Sequence, residues 1–98
     1  MTGQDAVAIL RQHADALRAR GVSHAALFGS VARGEAGPQS DLDILIELNP
    51  DTALDAFAYA GLKRYIAGLF TGPVDVVNRN ALKPYLRGPA MADAIDAF

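Results

Sequence analysis

The sequence predicts a small α/β domain with helices packed on a sheet, and three observations carry that prediction. Amphipathic stretches alternate with short apolar runs of strand length, in the order helix, strand, short helix, strand, helix, strand, helix. Glycine or Gly-Pro punctuates the junctions, at Gly21, Gly29, Gly37-Pro38, Gly72-Pro73 and Gly88-Pro89. The helical stretch between the second and third strands is long enough for a right-handed crossover, so those two strands can lie parallel and adjacent. With 98 residues, one domain spanning 1–98 with a single core is expected.

Thr2 and Asp5 have the spacing of a capping box, and Val7, Leu10, Ala14 and Leu17 recur on one helical face until Gly21, which predicts a single first helix. Residues 22–28 are apolar and bounded by glycines, as befits a half-buried strand feeding the Gly29-Ser30 turn. Residues 30–35 suit a turn or two of helix. From Asp41 to Leu48 the alternation is clean: Leu42, Ile44, Ile46 and Leu48 share one face, and Asp41, Asp43, Leu45 and Glu47 the other. Asn49-Pro50 ends that strand, and Thr52 with Asp55 repeats the capping spacing before an amphipathic helix carrying Leu54, Phe57, Leu62, Tyr65, Ile66, Leu69 and Phe70. Residues 74–77 form a third strand with Asp75 at its centre. Asn80 is a candidate cap for a short helix interrupted near Pro84, and a last turn or two carries Met91, Ile95 and Phe98, which either close the core or dock on a partner or second copy.

Composition narrows the function. Of the hydrophobic residues, which make up 51% of the chain, 19 are alanine, so the core is thin and its helices pack closely. A net charge of −2 argues against neutralising a polynucleotide backbone, and no direct nucleic-acid partner is expected. The chain has no cysteine, hence no disulfide frame, thiol nucleophile or cysteine-based zinc site. Without a signal-like N-terminus or an apolar run of about 18 residues, it reads as cytoplasmic and unattached to membrane. His13 and His24 have no second ligand at metal-binding spacing and read as structural or solvent-facing.

The chemistry concentrates around the second strand. Asp41 and Asp43, two residues apart, project from one face with α-carbons about 6–7 Å apart, and like charges so placed repel. A divalent cation with hard oxygen ligands, magnesium above all, removes the repulsion, and Asp75 adds a third carboxylate if the third strand pairs with the second. The competing reading is structural: Asp41 caps its loop, Asp43 is solvated at a strand start, and Asp75 pairs with Arg79 or Lys83. Gly29 permits a sharp turn and Ser30 offers a hydroxyl and an N–H, which together make a phosphate seat. Arg33 is placed either to steady a phosphate oxygen or to be solvated. A Walker motif is excluded because Glu35-Ala36 follows Gly34 where Lys-Ser/Thr is required. No EF-hand loop is present, Glu47 reads as a solvated edge residue, and Tyr59 and Tyr65 read as packing residues.

Gly29-Ser30, ten intervening residues, Asp41-Leu-Asp43 and then Asp75 resemble the nucleotidyltransferase signature of the DNA polymerase beta superfamily. Phe-Gly-Ser-Val-Ala-Arg-Gly at 28–34, Ser-Asp-Leu-Asp-Ile-Leu-Ile at 40–46 and Leu-Lys-Pro-Tyr-Leu-Arg at 82–87 are similar to the minimal nucleotidyltransferase (MNT) family of prokaryotic antitoxins. The resemblance implies a small mixed three-stranded sheet in order 1-2-3, backed by helices. It further implies magnesium-dependent use of ATP and an adjacent HEPN ribonuclease toxin as protein partner, in a possible hetero-oligomer. By the same resemblance Asp41 and Asp43 bridge two magnesium ions, and Asp75 binds the ion that activates the acceptor hydroxyl or takes its proton. Gly29, Ser30 and Arg33 then hold the triphosphate, and AMP passes to a tyrosine of the toxin. The alternative is an antitoxin that blocks its toxin by binding alone.

Overall fold

The computed structural model describes residues 2–32, 34, 41–52, 54–79 and 94–98. The chain opens with α1 (Gly3–Gln12), held by the predicted capping box: Thr2 Oγ1 accepts from the Asp5 N–H at 3.1 Å and Asp5 Oδ2 from the Thr2 N–H at 3.2 Å. Hydrogen bonding to the carboxyl from the Thr2 main chain, and then from the Thr2 side chain, holds the exposed Asp5 below its ordinary pKa. The single helix expected from the periodicity is broken at His13. Its ring Nδ1 bonds the Ile9 carbonyl at 2.9 Å, and its N–H reaches instead to Leu10 O. A side chain has taken the acceptor that the next backbone turn would use, and the chain restarts as α2 (Ala14–Ala19).

Gly21, at φ +98°, turns the chain into β1 (Val22–Phe28). A four-residue helix, α3 (Gly29–Ala32), follows directly, and β2 (Leu42–Leu48) returns antiparallel to β1 with a bulge between Val22 and His24. The second long helix, α4 (Ala56–Ala67), is capped by Asp55, whose Oδ1 accepts from the Ala58 N–H at 2.7 Å, and so begins later than the Thr52 spacing predicts. Gly72, at φ +87°, and Pro73 then set β3 (Val74–Asn78) parallel to β2, the crossover expected from the sequence.

Among the described residues the sheet has four strands rather than three. A short β4 (Ile95–Asp96) pairs antiparallel with β1, giving the order β3-β2-β1-β4, where a helical turn is predicted from the sequence. Two residues of strand have no alternation to detect, and the free edge of β1 supplies the backbone partners. The predicted elements near Asn80, Pro84 and Met91, and Tyr85, lie outside the described residues.

Ala6, Val7, Leu10 and Leu17 of the first two helices and Leu62 and Ile66 of α4 pack on Ala25, Leu27, Leu42, Ile44, Ile46 and Val76 of the sheet. Truncating one of its large members, Ile44 for instance, to alanine should cost about 2–5 kcal/mol. Phe57 departs from the expected apolar face and is 88% exposed, because its spacing from Leu62 and Ile66 along α4 puts it on the opposite side of the helix. No helix among the described residues is long and apolar enough to cross a membrane.

Candidate active site

The second face of the sheet, opposite the helix-packed core, carries Phe28, Ala26 and His24 of β1, Asp43, Leu45 and Glu47 of β2, and Asp75 and Val77 of β3, by strand register. Its middle is apolar: Ala26 and Leu45 are fully buried yet stand outside the helix-side cluster. The charged residues are divided between its two ends.

At one end β1 finishes in Phe28, and Gly29 turns the chain with φ +79°. That conformation favours glycine. A Cβ at position 29 would also lie 3.1 Å from Asp43 Cγ and closer still to Oδ2, so the half-buried Asp43 carboxylate rests where a side chain would otherwise be. Asp43 is the register partner of Phe28 on one side and of Asp75 on the other. Register partners on neighbouring strands, about 4.8 Å apart, point to the same side. The two carboxylates therefore leave the sheet together, with Asp75 exposed.

Leu42, 7% exposed in the helix-side core, fixes the outward direction of Asp43. Asp41 is exposed immediately ahead of β2, at the mouth of the same end. Ser30 lies in α3, and Arg33 is outside the described residues. Among the described residues no three acidic, histidine or cysteine side chains are already gathered into a metal cluster. Phe28, in the sequence simply the last apolar residue of its strand, borders the carboxylates. The signal for it is alternation, which sets it opposite the buried Leu27.

The other end is organised differently. Glu47, expected to be a solvated edge residue, is half-buried and accepts a hydrogen bond from the guanidinium of Arg79. This contact engages Arg79 with Glu47 rather than with Asp75, the structural pairing the sequence allowed. His24 donates from Nδ1 to the main-chain oxygen of Phe98, and its Nε2 lies 3.2 Å from Asp96 Oδ1, so it is structural, as expected. Of the tyrosines, Tyr65 packs against the core with the Arg20 guanidinium 4.4 Å from its ring centroid, while burial raises the pKa of Tyr59.

Residues 10–96 match the model of the nucleotidyltransferase domain family. The chain belongs to that family. It is similar to the protein adenylyltransferase MntA of Thermococcus cleftensis, with 36% identity over 84 residues that cover 85% of this chain and 83% of that protein. A solved structure provisionally named a minimal nucleotidyltransferase superposes with a TM-score of 0.70 at 34% identity, covering 97% of this chain and 95% of the other. The MNT antitoxin complex with a tri-AMPylated HEPN toxin from Shewanella oneidensis is alike in fold, with a TM-score of 0.63 at 19% identity over 94% of this chain and 71% of that one. This nucleotidyltransferase thus has the fold expected of it, with one strand more at the β1 edge.

Proposed function

We propose that this nucleotidyltransferase transfers AMP from ATP to a tyrosine hydroxyl of a HEPN-type ribonuclease toxin, and is the antitoxin of that pair. The observation that carries the reading is the register of Asp43 with Asp75 beside Gly29, whose missing side chain makes room for the Asp43 carboxylate. The resemblance to a named protein adenylyltransferase supports the choice of AMP. A HEPN toxin carrying AMP is described for the MNT complex of like fold and supports the choice of acceptor.

The residues fit magnesium. The donors at this end are carboxylate oxygens, hard ligands of the kind that ion takes one or two at a time, with substrate phosphates and water completing its shell. Asp41, Asp43 and Asp75 would hold it, as two ions. When bound, it supplies charge neutralisation on the triphosphate and acidifies the acceptor hydroxyl.

Asp75, exposed on the outer strand, faces the incoming acceptor and takes the phenolic proton. The phenolic oxygen bonds to the α-phosphorus as the α–β bridging P–O bond breaks, and pyrophosphate leaves with that bond's electrons. Main-chain groups of the Gly29-Ser30 turn orient the β and γ phosphates, and Arg33 adds charge to them by family resemblance.

The direct test is intact-mass analysis of the cognate toxin after incubation with this protein, ATP and magnesium. Addition of one or more AMP units is expected, and an unmodified toxin would refute the transfer. The double variant Asp41→Asn/Asp43→Asn should still bind the toxin but no longer protect against it. Full protection by that variant would instead establish blocking by contact alone.

A further inference from the structure

We infer that the outer face of α4 is a two-fold contact surface between two copies of this chain. Phe57, 88% exposed in the first turn of α4, is the most exposed large hydrophobic among the described residues. Ala60, Gly61 and Arg64 follow it at three, four and seven residues, so the four make one stripe, turned away from the buried Leu62 and Ile66. Ala60 is exposed, and above Gly61 the nearest atom that a Cβ would meet is Arg64 Nη2 at 3.9 Å. The backbone is therefore open to close approach there, with a guanidinium alongside. Next to the stripe lies a groove of about 270 Å³ lined by Ala19, Arg20, Leu54, Ala58 and Gly61.

Charge decides what covers this face. Asp51 and Asp55 stand at the N-terminal end of α4, and Lys63 and Arg64 near its C-terminal end, all exposed. An antiparallel copy of α4 centred near Ala60 sets the acidic end of each helix against the basic end of the other, twice by symmetry. A parallel copy sets like charge against like. An isologous two-fold interface requires such self-complementarity, which the two ends of α4 supply in charge and the open Ala60-Gly61 stretch supplies in shape. Phe57 of each copy then lies over the Gly61 region of its partner, where among the described residues only Arg64 Nη2 comes near and its guanidinium can stack on the ring.

The contact lies across the sheet from the carboxylates and does not depend on the transfer reaction. A single pair of 12-residue helices offers less area than a standard interface, so the dimer should dissociate in the range of about 10–100 µM.

The chain has no cysteine, so Ala60→Cys introduces a single thiol at the expected axis. At roughly 100 µM protein, oxidation should yield disulfide dimers at least about tenfold faster than in the exposed control Ala8→Cys. Sedimentation equilibrium should give Phe57→Asp at least about tenfold weaker self-association than the parent, with an unchanged melting curve because the side chain is exposed. Equal cross-linking at the two positions, or a parent monomeric at several hundred micromolar, would overturn the inference. So would a Phe57→Asp variant that keeps its self-association and loses the toxin, since the face would then belong to the hetero-partner.

Discussion

The two ends of the second sheet face share the same strands and both are acidic, yet they are built on opposite rules. At the Glu47 end each acid meets a base, Arg79 for Glu47 and His24 for Asp96, and these contacts tie β2 to the end of β3 and β4 to β1. At the Asp43 end acid faces acid across β2 and β3, beside a glycine whose backbone leaves the carboxylate room. Like charges directly opposite on neighbouring strands destabilise a sheet. Such facing acids add no stability to the sheet by facing each other, whereas the Glu47–Arg79 and His24–Asp96 contacts hold strands together.

That contrast can be broken by separating activity from stability. The largest effect is expected for Asp75→Asn, which should lower AMP transfer by about 10²–10³-fold or more in a single-turnover mass assay. Its melting temperature should hold or rise, because one of two facing charges is gone. A variant that melts earlier and transfers normally would reverse the assignment of the two ends. Gly29→Ala should do both kinds of damage. Its positive φ and the collision with Asp43 should cost about 1–3 kcal/mol in urea unfolding, and transfer should fall with it.

At the Glu47 end the order inverts. Arg79→Ala should lose about 1 kcal/mol of stability, discounted for the partial exposure of the pair, and leave transfer within about threefold of the parent. The smallest effect is expected away from both ends, at the capping box. Asp5 has its pKa lowered from 3.8 by the Thr2 backbone and side-chain hydrogen bonds, so its contribution is present above that value and fades as pH falls through the lower folded one. Asp5→Asn should therefore be less stable than the parent well above pH 3.8, and the difference should shrink as the pH falls below it in urea melts.

Much of the fold is legible in local pattern. The spans of β1, β2 and β3, the capping box at Thr2 and Asp5 and the parallel crossover follow from periodicity, glycine punctuation and segment length. The break at His13 does not, because it arises from a ring competing for one carbonyl. Nor does the displaced start of α4, where Thr52 and Asp55 are both eligible caps and tertiary packing chooses between them. At the candidate site, Gly29, Asp41, Asp43 and Asp75 stand out in the chain, but the register of Asp43 with Asp75 across a crossover does not.

Residue order alone settled the strands β1, β2 and β3, the capped start of α1 and which acids are candidates, because side-chain periodicity and turn chemistry act over a few neighbours. Pairing across the chain settled the rest: that Asp43 faces Asp75, that Glu47 meets Arg79, that His24 reaches Phe98, and that a fourth strand lies on β1. Backbone groups at a sheet edge and partly exposed charges take whatever complementary partner the folded chain brings near. That choice depends on three-dimensional proximity, which sequence separations of 32 and 74 residues do not encode locally.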